Sequence, residues 1–257
     1  MKVMIVGGGG REHAILEKLR ENPRIDRFYA LPGNGGMQEH ATCVPIRATE
    51  IDKIVSFAVE NEIDLAVIGP DDPLILGVCD RLRAAGVRCF GPSKAAAEIE
   101  GSKSFAKTLM RKYGIPTANY EVFDSAESAY AYLDETAYPC VVKADGPALG
   151  KGVIVAQTRE EARQAVYAMM EEGVFGSSGN RVVIEEFLTG KEVSVLALTD
   201  GQTLIPLISA LDHKRALDGD KGPNTGGMGA LAPNPYYTTE SAKACMELIF
   251  LPTMRAM

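Results

Sequence analysis

Two kinds of apolar segment alternate along the first 92 residues of the chain. Short β-rich runs such as KVMIV and DLAVIG end at Gly, Pro or Asn, and the longer runs between them place apolar residues at helical spacing. Strands that alternate with helices in this way form a parallel sheet covered on both faces. The sequence therefore predicts a doubly wound α/β domain, whose ligands bind at the carboxyl ends of the strands.

A smaller α+β region is predicted after this domain. A helical stretch over residues 93–114 ends at Gly114 and leads into strands around VVKADG, KGVIVAQ and VVIEEF, with helices over 125–136 and 159–172. A further strand is predicted over 192–201. The last 20 residues predict a helix that begins with Thr and Ser caps.

Charge and cysteine content narrow the class of protein. The 257 residues include 27 Lys and Arg against 34 Asp and Glu, a net charge of −7, so no surface for nucleic acid is predicted. Five cysteines without a C-x-x-C pair argue against a disulfide framework or zinc ribbon and indicate buried thiols in a reducing compartment. No apolar run approaches the roughly 18 residues of a membrane span or has the form of a signal peptide. We expect a cytoplasmic protein without a membrane partner.

A glycine cluster follows the first predicted strand. VGGGGREHA, residues 6–14, opens a helix whose N-terminal N–H groups can hold an anion. A dinucleotide-binding frame on Gly7 and Gly9 requires a third glycine at position 12, which is Glu12, and no acidic residue closes the second strand. The motif argues against NAD and leaves two interpretations, a phosphate site and a tight turn that packs a strand on a helix.

A lysine and a glycine-rich loop follow each other in VVKADGPALGKGVIV, residues 141–155. Lys143 on a strand is a fixed point charge suited to phosphate, and Gly146, Gly150 and Gly152 around Lys151 let backbone amides close over a ligand. The spacing is not that of a Walker P-loop. A hairpin with surface lysines is the more frequent explanation of such a segment.

Acidic residues border an apolar pair in VVIEEFLTGKEVSV, residues 182–195. An adenine pocket needs backbone donors and acceptors beside apolar walls, and a carboxylate such as Glu192 can take ribose hydroxyls. Taken alone, an edge hairpin with Glu185 and Glu186 in solvent is the favoured interpretation.

The densest group of polar residues lies in DHKRALDGDKGPNTGGMGA, residues 212–230. Asp212 can hold an amine, while Lys214 and Arg215 can hold a phosphate or a developing oxyanion. The glycines let main-chain amides approach a ligand, and we predict a loop here. A charged surface turn is the alternative, and a lone histidine such as His213 is more often structural than catalytic.

These motifs, taken in order, resemble those of the glycinamide ribonucleotide synthetase family of the ATP-grasp superfamily. The series runs from GGGGREHA through PGNGG, GPDDPL, FGPS, SKSFAK, IPTANY, VVKADG, GKGV, VIEEFLTGKEVS and DHKR to GPNTGGMGA. The resemblance covers nearly the whole chain. It implies an N-terminal α/β substrate domain at 1–102, a connecting segment at 103–120, an ATP-grasp lid at 121–190 and the start of an incomplete catalytic subdomain at 191–257.

The resemblance implies an ATP-dependent ligase of purine biosynthesis. Glycine, 5-phosphoribosylamine and ATP would give glycinamide ribonucleotide, ADP and phosphate through glycyl phosphate. Such chemistry needs positioning and charge stabilisation more than a protein nucleophile, which agrees with motifs rich in Lys, Arg and Gly.

The resemblance also implies roles for residues at matching positions. Phosphate-contacting lysines, a glycine loop, an adenine hinge and a ribose acid would bind ATP: Lys103, Lys143, Gly150, Lys151, Gly152, Glu185, Glu186, Phe187, Leu188 and Glu192. The side that receives phosphoribosylamine would contain Gly9, Gly10, Asn34, Gly36, Pro70 and Asp71. The catalytic residues would be Asp212, Lys214 and Arg215, with substrate contacts from His213, Asn224, Thr225, Gly226, Gly227 and Met228.

Some positions depart from the family pattern. Pro147 and Leu149 lie in the glycine loop, and Leu211 stands where a glutamine commonly precedes DHKR. The resemblance implies that family members continue beyond residue 257 and that their later segment supplies the Glu and Asn that hold Mg²⁺ or Mn²⁺. We therefore expect no metal ligands within this chain. We also expect that the chain alone does not ligate and exposes apolar residues of its last helix.

Three other functions stay open on the sequence. They are a nucleotide-binding fragment without catalysis, another ATP-grasp ligase such as a carboxylase of the same pathway, and a dehydrogenase built on the first domain, which Glu12 weakens. The ligand distinguishes these functions: the fragment would bind nucleotide alone, the carboxylase would also take bicarbonate, and the dehydrogenase would bind a nicotinamide cofactor. The sequence does not indicate an oligomeric state.

Overall fold

The chain divides into two compact units, Met1–Gly101 (unit 1) and Ser102–Met257 (unit 2). A computed structural model describes residues 1–148, 151–219 and 221–257. Each unit has its own sheet.

Unit 1 is a parallel sheet of five strands in the order β3-β2-β1-β4-β5. The strands are β1 (Lys2–Gly7), β2 (Arg27–Pro32), β3 (Thr42–Cys43), β4 (Leu65–Ile68) and β5 (Arg88–Phe90). The helices are α1 (Gly10–Leu19), α2 (Ile51–Glu60), α3 (Asp71–Ile75), α4 (Val78–Ala84) and α5 (Lys94–Gly101). This strand order is that of a doubly wound fold, so the predicted fold class is confirmed.

The central strand β1 is buried on both faces because successive side chains alternate across a sheet. Val3 and Ile5 pack in one core with Leu16 of α1. Met4 lies in the other core, which contains Ile54 of α2. The continuous apolar run of β1 is therefore explained by helices on both sides.

Two predicted helices are each divided in the structure. The segment PLILGVCDRLRAAG, residues 73–86, is one of the runs with apolar residues at helical spacing. Its helix breaks at Gly77, which adopts the left-handed conformation at φ 86° and precedes α4. The stretch 93–114 divides at Ser102, which has an extended backbone. The Ser102 side chain caps the next helix by accepting a hydrogen bond from Phe105 N. The short strand β3 was not predicted.

Unit 2 contains a four-stranded antiparallel sheet in the order β6-β9-β7-β8. Its strands are β6 (Tyr120–Phe123), β7 (Cys140–Ala144), β8 (Val153–Ala156) and β9 (Val182–Glu186). The helices of unit 2 are α6 (Lys103–Tyr113), α7 (Ala126–Leu133), α8 (Arg159–Val166), α9 (Thr239–Cys245) and α10 (Leu251–Ala256). One face of the sheet forms a core in which Val142 and Ile184 join Leu133 and Met169.

The last third of unit 2 differs most from the prediction. The strand expected over 192–201 is reduced to β10 (Ala197–Thr199), which pairs with β11 (Leu204–Pro206). The loop expected over 212–230 is a hairpin of β12 (Leu211–Leu217) and β13 (Lys221–Leu231). The final helix begins at its predicted Thr238 cap, and a π-helical turn joins α9 to α10.

The cysteines are free, but they are less uniformly buried than predicted. Cys79 and Cys140 are buried, whereas Cys43, Cys89 and Cys245 are partly exposed. Within the described residues, no helix is both long and apolar enough to cross a membrane.

Candidate functional site

Lys143 and Glu185 meet on the face of the unit 2 sheet opposite its core. Strands β7 and β9 are neighbours, with Val141 paired to Glu185, and the side chain of Lys143 shares the face of Val141. Lys143 Nζ lies 2.9 Å from Glu185 Oε2. Because β9 is an interior strand and Glu185 is only 6% exposed, the edge-hairpin interpretation is wrong for this acid.

A second lysine reaches the same carboxylate from α6. Lys107 Nζ lies 3.0 Å from Glu185 Oε2 and donates a hydrogen bond of 2.7 Å to Thr117 Oγ1. It also lies 5.4 Å from the centre of the Tyr120 ring, and Lys107 is itself buried. Lys107, Lys143 and Glu185, which we call the Lys-Glu-Lys cluster, thus place two ammonium groups on one carboxylate oxygen.

The other oxygen of Glu185 has no partner in the part of the chain that the structure describes. Oε1 is buried and accepts no hydrogen bond from the described residues. A buried acceptor without a donor costs about 1–3 kcal/mol, and most such atoms in folded proteins are satisfied. This atom therefore indicates a position that a donor from a ligand could fill.

Asp145 connects the two segments that carry Lys103 and Lys143. It follows β7, and its carboxylate accepts hydrogen bonds from Ser104 N at 2.6 Å and from Ser102 Oγ at 3.1 Å. Its carbonyl oxygen accepts from Lys103 N at 3.0 Å. The start of α6 is thereby fixed against the end of β7, and Lys103 Nζ donates to the Gly146 carbonyl at 3.0 Å.

We expect Asp145→Ala to lower the free energy of unfolding by about 1.5–3 kcal/mol, the usual contribution of a hydrogen bond to a charged group. Asp145 is largely buried, with 15% of its side chain exposed. Asp124→Ala is the matched control, since Asp124 forms an ion pair with Arg181 but is 74% exposed. An exposed pair contributes about 0–1 kcal/mol. Urea unfolding followed by circular dichroism measures both variants, and equal losses would contradict the role given to Asp145.

The segment that follows β9 is open to solvent. Glu186 is exposed and its Oε1 accepts from Asn119 N at 2.8 Å. Phe187 is 39% exposed and Leu188 is 64% exposed. Two apolar side chains are therefore exposed directly after β9, and the adenine hinge at this position stays a prediction.

The glycine loop is described only in part. Gly150 and Leu149 lie outside the described residues. Lys151 is exposed, and its N–H donates to Ala148 O at 2.9 Å. A Cβ at Gly152 would lie 2.6 Å from Ala148 Cβ, so this position requires glycine for close packing.

In the β12–β13 hairpin, the charged residues of DHKR contact neighbouring carboxylates and a backbone carbonyl. Lys214 Nζ forms an ion pair with Glu192 and lies 3.9 Å from Asp212 Oδ2. Arg215 Nη1 donates to Gly222 O at 2.7 Å. The predicted loop is wrong because Leu211–Leu217 pairs with Lys221–Leu231, although register shifts interrupt the pairing on both sides of Arg215.

The remaining residues predicted on this hairpin form its second strand and outer surface. Thr225 Oγ1 donates to Lys214 O at 2.8 Å and accepts from Gly227 N at 3.1 Å. His213 is exposed opposite Gly229 in the pairing register, and Met228 is 61% exposed. Asn224 pairs with Arg215 in the backbone register, and a Cβ at Gly226 would meet no atom within 4 Å.

In unit 1 the loops after β1 and β2 are joined by Asn34. Its Nδ2 donates to Gly8 O at 3.0 Å, and its Oδ1 accepts from Met37 N at 3.0 Å. Gly33 N also donates to Gly7 O at 3.2 Å. The carboxyl ends of two neighbouring strands are thus fixed to each other, where a doubly wound sheet binds its ligands.

Glu12 fills the position where a dinucleotide frame would require glycine. It is 5% exposed, and its Oε2 accepts from Gly9 N at 2.6 Å at the start of α1. A Cβ at Gly7 or Gly69 would overlap the Glu12 side chain. The Gly9 N–H is therefore occupied by an internal carboxylate, while Gly10 has open space around its Cα.

The other predicted residues of unit 1 surround the same loops. Pro70 caps α3, and Asp71 in its first turn lies 3.9 Å from Arg11 Nη1. A Cβ at Gly36 would overlap the His13 ring, so this ring packs on the Gly36 backbone. These residues lie in the loops after β2 and β4, at the predicted edge of the sheet.

No group of three or more His, Cys, Asp or Glu residues that could hold a metal ion occurs in residues 1–148, 151–219 and 221–257.

Sequence reasoning missed two residues of the site, Lys107 and Asp145. Lys107 is four residues after Lys103 and could have been placed on one helical face with it. Asp145 directly follows the strand of Lys143, but its partners Ser102 and Ser104 are more than 40 residues away. Only the tertiary structure brings these groups together.

Two family sequence profiles match the chain. The profile described as "Phosphoribosylglycinamide synthetase, ATP-grasp (A) domain" matches residues 101–257, and "Phosphoribosylglycinamide synthetase, N domain" matches residues 1–100. The fold and site thus define a protein of the ATP-grasp class. More narrowly, the chain belongs to the phosphoribosylglycinamide synthetase family.

Curated relatives are named phosphoribosylamine–glycine ligase. The protein of Halalkalibacterium halodurans is 51% identical over all 257 residues, which cover 60% of that relative. The protein of Salmonella typhimurium is 48% identical, again with 100% of this chain and 60% of the relative covered. The chain thus spans about 60% of the length of these relatives.

Solved structures agree with this family. The crystal structure of phosphoribosylamine–glycine ligase from Thermotoga maritima has a TM-score of 0.85 and 33% identity, with 100% of this chain and 61% of that chain covered. The biotin carboxylase domain of Hydrogenobacter thermophilus 2-oxoglutarate carboxylase has a TM-score of 0.76 at 18% identity, with 99% of this chain and 58% of that chain covered. The second likeness extends to the fold alone.

Proposed function

We propose that this chain contains the nucleotide-binding and substrate-binding residues of an ATP-dependent ligase. The ligase joins glycine to 5-phosphoribosylamine and gives glycinamide ribonucleotide, ADP and phosphate. The names of the relatives support this substrate pair. The observation that carries nucleotide binding is the Lys143–Glu185 pair, with its unpartnered buried oxygen, beside the exposed segment after β9.

In this proposal the unit 2 sheet binds ATP. Lys143 and Lys103 contact the phosphates, and Gly150, Lys151 and Gly152 supply the glycine loop. The adenine lies against Glu185, Glu186, Phe187 and Leu188, and Glu192 takes the ribose hydroxyls. Residues 121–190 act as the lid, 103–120 as the connecting segment and 191–257 as part of the catalytic subdomain.

Glu192 has a second partner that bears on this role. It forms an ion pair with Lys214, and both side chains are nearly half exposed. An exposed ion pair contributes little stability, so a ligand can compete for either partner at small cost. The proposal is that ribose takes one side of Glu192 and that Lys214 is drawn toward the reacting phosphate.

Unit 1, at 1–102 in the proposed division, receives phosphoribosylamine. The loops joined by Asn34, with Gly10 and Gly36, present backbone N–H groups to the 5-phosphate, and Gly9 lies in the same turn. Pro70 and Asp71 border the same edge of the sheet. The Gly9 N–H is already donated to Glu12, so the phosphate is held by the other amide groups of the turn.

The proposed reaction has two steps. A glycine carboxylate oxygen attacks the γ-phosphorus of ATP, the bond to the β-phosphate oxygen breaks, and glycyl phosphate and ADP form. The ribosylamine nitrogen then attacks the carbonyl carbon, phosphate leaves and the nitrogen loses a proton. Arg215 and Lys214 stabilise the charge that develops on oxygen, and Asp212 holds the amine. His213, Asn224, Thr225, Gly226, Gly227 and Met228 line the substrate site.

A divalent ion, Mg²⁺ or Mn²⁺, is proposed as a cofactor on family grounds. The described residues contain no group of three or more His, Cys, Asp or Glu that could hold it.

We expect Lys143→Ala to weaken ATP binding by about 1.5–3 kcal/mol, because a charge-assisted hydrogen bond to phosphate is lost. Isothermal titration calorimetry measures the dissociation constant. Lys112→Ala is the matched control, since Lys112 is an exposed lysine of α6 with no proposed role. Unchanged affinity in the Lys143 variant, with the fold intact, would contradict the nucleotide site.

The substrate pair is tested by phosphate release from ATP. Because the chain spans about 60% of the length of its curated relatives, the assay uses the chain joined to the later segment of a longer relative. Release should require both glycine and 5-phosphoribosylamine. Release that depends on bicarbonate instead would assign the chain to a different ATP-grasp ligase.

A further inference from the structure

The Lys-Glu-Lys cluster carries an excess of positive charge in a buried place. Two ammonium groups lie within 3.0 Å of one carboxylate oxygen, so the net charge of the cluster is +1. Glu185 has 6% of its side chain exposed and Lys107 has 10%. Glu185 therefore needs at least one cation at all times, because an uncompensated buried charge is strongly unfavourable.

The two lysines are held differently. Lys107 has further partners in Thr117 Oγ1 at 2.7 Å, the Ala118 carbonyl at 3.4 Å and the face of the Tyr120 ring. Among the described residues, Lys143 Nζ contacts Glu185 alone, and its side chain is 25% exposed. Lys107 is thus fixed inside unit 2, whereas Lys143 has one partner and access to solvent.

We propose that Lys107 is a positioning residue: it is the permanent counter-ion of Glu185 and thereby frees Lys143 to move its ammonium group to the phosphates of a nucleotide. This inference rests on the proposed nucleotide site. When Lys143 leaves Glu185 for a phosphate, Lys107 keeps the buried carboxylate neutralised. Lys107 itself does not touch the nucleotide.

The net charge of the Lys-Glu-Lys cluster differs between two variants, and so does the number of groups that hold Lys143. In Lys107→Met the cluster is neutral, and Lys143 becomes the one counter-ion of a buried carboxylate. ATP must then compete with Glu185 for the ammonium group. In Lys107→Met with Glu185→Gln, the net charge returns to +1 and no carboxylate holds Lys143. The second substitution should therefore restore ATP binding that the first one removes.

The test is calorimetric titration of ATP into the 257-residue chain and its variants. We expect Lys107→Met to weaken ATP binding roughly 10-fold to 100-fold, because Glu185 then holds Lys143 and ATP loses one hydrogen bond to a charged group. The double variant Lys107→Met with Glu185→Gln should bind ATP about 5-fold to 10-fold more tightly than Lys107→Met alone, about 1–1.4 kcal/mol by the same conversion. Lys112→Met, which removes an exposed lysine from the same helix, should not change the dissociation constant.

A merely structural role for Lys107 gives a different result. If the residue only supports the fold, removing Glu185 as well adds a second defect, and the double variant binds no better than Lys107→Met. That result would overturn the inference. Urea unfolding of every variant, run in parallel, separates loss of fold from loss of binding. If Lys107→Met does not fold, Lys107→Gln makes the same charge change while keeping a donor for Thr117, and the same comparison with Glu185→Gln applies.

Failure of the inference differs from failure of the proposed function. If the unmodified chain binds no ATP, the nucleotide site is wrong and the role of Lys107 falls with it. If the unmodified chain binds ATP and Lys143→Ala weakens binding, but Glu185→Gln does not rescue Lys107→Met, the site stands and only the counter-ion role is rejected.

Discussion

Replacement of Glu185 by Ala should lower the free energy of unfolding of unit 2 by about 3–5 kcal/mol, the range for removing one partner of a buried ion pair. The substitution leaves Lys107 buried without an anion and places Lys107 and Lys143 together as like charges. Glu185 is 6% exposed, so water cannot replace the lost carboxylate without opening the structure. Urea unfolding measures the loss. Because the chain contains no Trp, far-UV circular dichroism and not Trp fluorescence monitors the transition.

The neighbouring glutamate is a matched control. Glu186→Ala removes an exposed side chain of the same size that accepts one hydrogen bond from Asn119 N. We expect a loss of about 0.5–1.5 kcal/mol, as for an ordinary hydrogen bond. If the two adjacent substitutions cost the same, Glu185 is not the buried anion on which the Lys-Glu-Lys cluster depends.

A second large effect is expected in unit 1, at the contact between the glycine cluster after β1 and the loop after β2. A Cβ at Gly8 would overlap the carbonyl oxygen of Gly33, and backbone cannot move aside as a flexible side chain can. Gly8→Ala should therefore cost about 3 kcal/mol, the upper end of the usual range for overpacking. Asn34 donates to Gly8 O, so the same change separates the two loops that form the proposed phosphate site.

Gly10→Ala tests whether the cost comes from the contact or from loss of a glycine as such. A Cβ at Gly10 meets no atom within 4 Å, and the residue begins α1, where alanine is the better helix former. This variant should be as stable as the original or slightly more stable. Thermal unfolding of both variants provides the comparison, and a Gly8 variant with unchanged stability would contradict the close approach of the two backbones.

Local patterns were sufficient to predict the parallel sheet of unit 1. Four of its strands and helices α1 and α2 follow from apolar runs and their spacing, because each element buries its own residues against the sheet. The breaks at Gly77 and Ser102 were missed because both lie inside amphipathic stretches that continue on either side. Gly77, at φ 86°, and the Ser102 cap each divide a helix within a sequence whose apolar spacing stays helical.

The hairpin at 211–231 was missed for a different reason. Its second strand contains Gly222, Gly226, Gly227 and Gly229, and glycine is a poor strand former. Pairing with Leu211–Leu217 and the bonds of Thr225 hold it in place, and these are contacts across the chain that no local pattern reveals.

The site was predicted in its residue types but not in its connections. Lys143, Glu185 and the segment to Leu188 could be named from motif resemblance, and their roles stay predictions. Burial of Glu185 could not be read from EE in the sequence, since Lys107 and Lys143 lie against Glu185 only in the tertiary structure, while Glu186 is the exposed last residue of β9. For the same reason the sequence did not reveal Lys107 as a partner of Glu185.

The position of β9 in its sheet also bears on how unit 2 assembles as the chain is synthesised. β9 is the last of the four strands in sequence, yet it lies between β6 and β7. β6 has no other neighbour in this sheet, so it stays unpaired until residues 182–186 have been made and inserted. Sequence-distant pairing of this kind is slow because a long loop must close before any contact forms. Glu185 arrives with that strand, so the two lysines gain their shared anion only at the step that completes the sheet.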